Sequence, residues 1–300
     1  MALHYINGIL NLNKPAGNTS FQAVAAIRRF SGVRKVGHSG TLDPDATGVL
    51  PILIGQATRL ASFLTDASKT YLAQVEFGRA TTTCDASGET EWTGDISHLS
   101  RQVIEKALQG FEGSIEQVPP MYSAIKYGGE PLYKLARKGV KVDRKPRQVK
   151  ISRLEIRDWQ KPVLELEIDC GKGTYIRSLA HDLGNELGCG GHLKRLVRLR
   201  SGPFHIDQSV SMEQAEAGFK ECSWESFIYP MDIIVSHLGS VTVSPEAERE
   251  ISYGRAIRSI EGEDTGEYEL CRAYSEDGRF LGLVKFSKET GLWHPEKVFI

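Results

Sequence analysis

The sequence predicts a mixed α+β fold, with a large N-terminal domain and a small β-rich domain at the C-terminal end. Three observations support this prediction. Several short segments alternate apolar and polar residues, which is the two-residue repeat of half-buried strands. Other segments carry apolar residues at helical spacing between typical helix start and stop signals. After about residue 235 the chain becomes acidic and turn-rich, so we expect domains at 1–235 and 236–300.

The first predicted helix begins after Thr19. Thr19 and Gln22 form the T-x-x-Q pattern of a capping box, Ile27 continues an apolar face, and Gly32 is a typical helix stop. The following segment, 33–55, is interrupted by glycine and proline. Its middle is therefore predicted to be an ordered loop between apolar stretches.

Two strands and a second helix are predicted further along the chain. Residues 70–78 and 163–170 alternate apolar and polar side chains, which predicts strands. From Ile176 onward, apolar residues recur at helical spacing until Gly188, which predicts a helix. In the C-terminal part, YELCRAY and FLGLVKF are predicted strands on either side of a turn at 275–278.

The net charge of −1 conceals an uneven distribution. Residues 211–300 carry 9 basic and 17 acidic side chains, so residues 1–210 carry 28 and 21, a net charge of +7. Within 126–153, ten Lys or Arg residues stand against two acidic ones. Such a basic run is compatible with a solvated surface, and it is also typical of nucleic-acid binding.

The remaining composition predicts a cytoplasmic protein. The apolar stretch from Val49 to Ile54 is too short to span a bilayer, and the N-terminus lacks the features of a signal peptide. Five widely spaced cysteines without a CxxC pair fit a reducing compartment better than a disulfide framework.

The segment GHSGTLDPDATG at 37–48 is the densest candidate for a functional loop. Its glycines permit tight turns, and Pro44 disfavours helical geometry at Asp43, so an extended chain can present this carboxylate. Judged from the residues alone, Asp43 and Asp45 are equally compatible with ordinary turn residues.

Rival motifs do not fit the sequence. It contains neither a pair of Asp-Thr-Gly motifs, as in aspartic proteases, nor a GxxxxGK[ST] phosphate loop, and Ile176 replaces the third glycine of a dinucleotide fingerprint. The best candidates for metal ligands are His181, Glu186, Cys189 and His192, but their spacing matches no structural zinc site. We therefore expect no metal and no cofactor.

Two further side chains have ambiguous local settings. Tyr71 shares its strand face with Ala73 and Val75, which by itself favours a core tyrosine. Arg177 lies at the edge of the buried face of its predicted helix. It is compatible with a surface position and also with an ion pair to a buried carboxylate.

Several blocks of the chain, in order, resemble the bacterial tRNA pseudouridine-55 synthases. GHSGTLDPDATGVLPI resembles the catalytic motif of that family, and KTYLAQVEFGRATTTCDASGE and GTYIRSLAHDLG resemble its tyrosine and arginine blocks. NGILNLNKPAGNTSF, VPPMYSAIKYGGEPLYKLARKG and GHLKRLVRLRSGPF resemble its opening strand, RNA-gripping insertion and pocket segment. Together the blocks span about residues 7–205.

The resemblance implies a fold and a substrate. It implies a largely antiparallel catalytic sheet, an RNA-gripping insertion at about 119–147, and a small PUA-like RNA-binding domain at 236–300. It also implies a monomeric, cofactor-independent isomerase that acts on the T-loop and T-arm of tRNA.

The resemblance also implies roles for individual residues. Asp43 is implied to be the catalytic aspartate, Tyr71 the active-site tyrosine, Arg177 the partner of the aspartate, and His38 a contact to the disrupted T-loop. The expected RNA-binding side chains of the insertion are Lys126, Lys134, Arg137 and Lys138. Asp45 and Asp85 are expected to matter far less than Asp43.

The implied reaction breaks the N1–C1′ bond of a uridine, turns the uracil, and joins C5 to C1′. A carboxylate assists either as a nucleophile at C1′ or by helping to remove a sugar proton, and the sequence leaves both routes open. Two other functions stay open at this point: a guide-RNA-dependent synthase and an RNA-folding chaperone. The early start of the first block and the acidic C-terminal part argue against the guide-dependent enzyme.

Overall fold

The computed structural model describes residues 6–140, 142–258 and 269–300. These residues form a large mixed sheet, a second sheet near the C-terminal end, and helices around both. The strands are β1 (Gly8–Lys14), β2 (Val36–His38), β3 (Thr47–Ile54), β4 (Lys69–Phe77), β5 (Arg79–Thr81), β6 (Thr90–Thr93), β7 (Gly113–Gln117), β8 (Lys126–Tyr127), β9 (Glu130–Pro131), β10 (Arg147–Gln160), β11 (Val163–Cys170), β12 (Gly191–Ser201), β13 (Phe204–His205), β14 (Ile228–Tyr229), β15 (Gly239–Val243), β16 (Leu270–Ser275), β17 (Phe280–Ser287) and β18 (Leu292–Val298). The α-helices are α1 (Ser20–Ser31), α2 (Ala61–Asp66), α3 (Arg101–Leu108), α4 (Leu132–Arg137), α5 (Ile176–Glu186), α6 (Met212–Lys220) and α7 (Pro245–Ser252).

The large sheet runs in the order β14-β1-β3-β12-β4-β11-β10-β7, with β2 paired to β3 and β13 to β12. Its pairs are antiparallel except that of β3 with β12, which is parallel. The expected α+β class with a largely antiparallel sheet is therefore confirmed. The parallel pair lies near the middle of the sheet and brings the start of β3 against the later part of β12.

Local sequence signals explain the elements around the site. Thr19 caps α1 through a complete capping box with Gln22, and Gly32 ends the helix in the left-handed conformation at φ 67°. In β4 and β11, alternate residues turn inward onto α5 and form one apolar core. The predicted helices and strands in 19–32, 70–78, 163–170 and 176–188 are thus confirmed.

The C-terminal sheet has the order β15-β16-β17-β18, and β16 and β17 form the predicted hairpin. The start of the first predicted strand, at Tyr268, lies outside the described residues. Leu283 and Phe299 of this part share an apolar cluster with Ile9 and Leu53 of the large sheet. The C-terminal sheet therefore packs directly on the rest of the protein through a buried apolar contact.

Among the helices that the structure describes, none combines the length and apolar character that a bilayer crossing requires.

Candidate active site

The loop between β2 and β3, residues 39–46, carries Asp43 and is fixed from three sides. Ser20, at the start of α1, accepts a hydrogen bond from the Leu42 amide at 2.9 Å and donates to the Leu42 carbonyl at 3.1 Å. Lys14 Nζ, at the end of β1, donates to the Pro44 carbonyl at 2.9 Å. Asp43 therefore stands between two residues whose backbone is held by buried side chains.

Arg198 of β12 supplies the third support. Its fully buried guanidinium donates to the carbonyls of Val49 at 2.6 Å and Gly40 at 3.0 Å, which joins both flanks of the loop to the centre of the sheet. Gly48 makes this approach possible, because it has φ +100° and a Cβ there would lie 2.3 Å from the Arg198 carbonyl oxygen. Glycine at this position is a packing requirement of the site.

Asp43 forms a two-pronged ion pair with Arg177. Arg177 Nε lies 2.9 Å from Asp43 Oδ2, and Arg177 Nη2 donates to Asp43 Oδ1 at 2.9 Å. The same nitrogen donates to the Tyr122 carbonyl at 2.8 Å. The Arg177 side chain is 6% exposed and that of Asp43 is 40% exposed, so the arginine is enclosed while the carboxylate faces the cleft. Such a planar fork fixes the orientation of the carboxylate as well as its position.

Asp85 is a second carboxylate beside Arg177. Its Oδ2 is 3.7 Å from Arg177 Nη1, and its Oδ1 accepts hydrogen bonds from Thr83 Oγ1 at 2.5 Å and Ser87 Oγ at 2.6 Å. Arg177 thus faces two carboxylates. Asp85 is half-buried beside the ion pair, whereas Asp45 is exposed. That both acids matter far less than Asp43 stays a prediction.

The environment of Asp43 raises the pKa of its carboxyl group above the usual aspartate value. Burial is the main cause, and the Asp85 charge acts in the same direction. The Arg177 charge and hydrogen bond, and the charge of Lys14, lower the pKa and partly offset this effect. The ionised carboxylate therefore depends on its cationic neighbours.

Tyr71 and His38 complete the polar floor of the cleft. Tyr71 lies on the central strand β4, opposite Arg198 of β12, and its buried setting raises the pKa of the phenol. It is at once a member of the apolar core and a cleft residue. His38, at the end of β2, also lines the cleft, and burial lowers its pKa, which favours the neutral form of its ring.

The cleft has a volume of about 1110 Å³ and is open on one side. The expected insertion forms part of its wall, through Tyr122, Tyr133 and Arg137. Lys126, Lys134 and Lys138 are exposed on the same segment, and Lys138 pairs with Glu130 at 2.8 Å. Lys141, another basic residue of this segment, lies outside the described residues.

Sequence reasoning missed the buried cations Lys14 and Arg198. Lys14 donates to three backbone carbonyls, and burial lowers its pKa to about 8. A lysine that directly follows an apolar strand and precedes Pro15 was the one available signal for it. In the described part of the chain, no cluster of three or more His, Cys, Asp or Glu side chains is placed to hold a metal ion.

Comparison with known proteins places this arrangement in a family. The profile of the TruB family pseudouridylate synthase N-terminal domain matches residues 28–176, and that of the tRNA pseudouridylate synthase B C-terminal domain matches residues 177–236. The chain belongs to the TruB family. The match includes the loop of Asp43 and the strand of Tyr71, and Arg177 is the first residue of the second match.

Named relatives are similar over most of their length. The chain is 43% identical to tRNA pseudouridine synthase B of Dehalococcoides mccartyi over 98% of this chain and 97% of the relative. It is 47% identical to the protein of that name from Symbiobacterium thermophilum over 84% and 83%.

Solved structures share the fold. A Cbf5-Nop10-Gar1 complex contains a chain with a TM-score of 0.74 and 29% identity, covering 98% of this chain and 85% of its own. An H/ACA RNP bound to a substrate RNA containing 2′-deoxyuridine gives a TM-score of 0.73 at 26% identity, with the same coverage.

Arg177 and Asp85 have opposite effects on the pKa of Asp43, which predicts opposite pKa shifts in two variants. Arg177→Gln removes a cation, so the Asp43 pKa should rise further. As the pH is lowered, the Asp43 carboxylate of this variant should become protonated at a higher pH than that of the wild type. Asp85→Asn removes an anion, so the pKa should fall. An NMR titration of the labelled Asp43 carboxyl carbon measures both without relying on activity. Shifts in the same direction in both variants would show that charge is not what tunes this group.

Proposed function

We propose that this protein is a tRNA pseudouridine synthase that isomerises uridine 55 in the T-loop without a cofactor. The observation that carries the proposal is the oriented Arg177–Asp43 pair on the floor of a cleft of about 1110 Å³, which exceeds the usual size of a small-molecule site. The names of the TruB relatives at 43% and 47% identity support tRNA as the substrate.

Asp43 acts at the sugar of the bound uridine. Its ionised carboxylate either attacks C1′ or assists loss of the C2′ proton while the N1–C1′ bond breaks, and both routes start from the charged form. The freed uracil turns within the cleft and its C5 atom bonds to C1′, while the bond from Asp43 to C1′ breaks in the first route or the proton returns to C2′ in the second. C5 then loses its proton and N1 gains one, so that the product is an isomer of the substrate. Arg177 contributes by keeping the carboxylate ionised and by fixing its direction.

Tyr71 is proposed to stack on the extracted base, and His38 to contact the displaced part of the loop. A uridine inside folded RNA has to leave its stack to reach Asp43, and an aromatic face in the cleft gives the extracted base a new stacking surface. Tyr71 lies where it can provide that face. His38 is half-buried at the cleft wall and its neutral form is favoured, which suits contact with the displaced part of the loop better than a charged ring does.

The insertion and the C-terminal part are proposed to hold the RNA. Lys126, Lys134, Arg137 and Lys138 offer exposed cations beside the cleft, which suits contacts to phosphates. The segment 236–300 is proposed to be a PUA-like domain that assists docking without taking part in chemistry. We further propose that the enzyme is monomeric and, because its proposed substrate is tRNA, cytoplasmic.

The two alternatives have less support. The chains in the H/ACA RNP and in the Cbf5-Nop10-Gar1 complex are 26% and 29% identical to this chain, well below the relatives named tRNA pseudouridine synthase B, which favours the stand-alone enzyme. A purely RNA-binding chaperone has no use for a carboxylate that is oriented by a buried arginine at the cleft floor, since holding both charges there costs desolvation.

Asp43→Asn tests the proposed reaction. Asparagine has nearly the shape of aspartate but no charge, so the variant should bind tRNA like the wild type while turnover falls by several orders of magnitude. Asp45→Asn, an exposed acid two residues away, is the matched control and should keep nearly full activity. The readouts are pseudouridine formed per tRNA and the dissociation constant. Full activity of Asp43→Asn would remove the carboxylate from the mechanism.

The insertion is tested by the salt dependence of tRNA binding. Replacing Lys126, Lys134, Arg137 and Lys138 by glutamine should weaken binding and reduce the log–log salt slope by roughly 0.7 to 0.9 for each phosphate that the segment no longer neutralises. Replacing Arg101 and Lys106 of α3, outside the cleft, serves as the control. A salt slope that is the same in the quadruple variant and the wild type excludes phosphate binding by this segment.

A further inference from the structure

Phe21 departs from the pattern of its helix. The buried positions of α1 are Ser20, Ala23, Val24, Ile27 and Ser31. Phe21 lies outside this face, on a solvent-facing side of the helix where an amphipathic helix normally carries a polar residue. The side chain is 74% exposed, the largest exposed fraction among the large apolar side chains of the described residues.

Phe21 is exposed at the cleft. Single exposed apolar side chains are common on protein surfaces and need no explanation by themselves. Phe21, however, lines the cleft that contains Asp43 and Tyr71. It is also the next residue after Ser20, whose hydroxyl holds both backbone groups of Leu42 and so positions the neighbouring Asp43.

The backbone at Phe21 is rigid. Thr19 and Gln22 on either side are joined by a reciprocal capping box, and Ser20 is buried. The helix start therefore fixes the point from which the Phe21 side chain projects at the cleft, and this side chain has only two torsions to lose on binding. Tyr71, which is more buried than Phe21, is proposed to stack on the uridine bound at Asp43. A planar group at the rim would therefore meet a neighbour of that uridine.

We propose that Phe21 stacks on the nucleobase adjacent to the uridine that enters the cleft. This inference rests on the proposed function. Taking a uridine out of its stack leaves one face of each neighbouring base uncovered, and Phe21 covers one of these faces. Stacking of this kind accepts any base, so Phe21 contributes affinity and positioning and does not read sequence.

The first test compares side chains at position 21 by tRNA binding. Phe21→Ala should raise the dissociation constant roughly 5- to 150-fold, the range of base stacking on an aromatic side chain. Phe21→Tyr should bind like the wild type, and Phe21→Leu, which is apolar but not planar, should resemble Phe21→Ala. Val103→Ala, which removes another exposed apolar residue from the first turn of a capped helix, should have no effect. Unchanged binding in Phe21→Ala, or wild-type binding in Phe21→Leu, overturns the proposal.

The second test removes the base. Two T-arm RNAs are compared, with an abasic nucleotide on the 5′ or on the 3′ side of the target uridine. One of the two should bind wild type and Phe21→Ala with the same dissociation constant, because it lacks the base on which Phe21 stacks. A full Phe21→Ala penalty with both abasic RNAs overturns the proposal. Pseudouridine formation by the wild type on intact RNA is scored separately, so a failure of the proposed reaction is distinguishable from a failure of the stacking role.

Discussion

The ion pair between Arg177 and Asp43 is the interaction on which the rest of this structure depends. Neither group is stable in a protein interior alone, because burial of an unpaired charge costs several kcal/mol. The two come from positions 134 residues apart, at the start of α5 and in the loop before β3. Their pairing therefore requires the central sheet, with α5 packed on it, to be complete. The carboxylate is therefore paired and oriented only when these distant parts of the chain are packed together.

Two further buried cations connect the loop that carries Asp43 to the core of the protein. Lys14 and Arg198 bind backbone carbonyls on both sides of Asp43, so the loop is held by its own main chain and the carboxylate is left free to face the cleft. Both cations are buried, so they act on the loop through these hydrogen bonds to its backbone.

The parts of the fold that the sequence predicted are those with local causes. A capping box, a two-residue alternation and a glycine stop act within a few residues, so α1, β4, β11 and α5 were accessible from the pattern. Asp43 was a candidate because Pro44 and the flanking glycines constrain its backbone. The buried state of Arg198 was not accessible, since charged residues are normally exposed and Arg198 contacts Gly40 from 158 positions away, and for Lys14 only its place between an apolar strand and Pro15 was a signal. The contact of Asp85 with Arg177 depends on tertiary structure in the same way.

The most direct test of this account uses the purified protein and one unmodified tRNA transcript, with no guide RNA, metal or cofactor added. Pseudouridine at each uridine position is measured over time. The account predicts nearly complete conversion of uridine 55 in the T-loop, at catalytic amounts of protein. No conversion by folded, tRNA-binding protein, or conversion that appears only when a guide RNA is supplied, would contradict it.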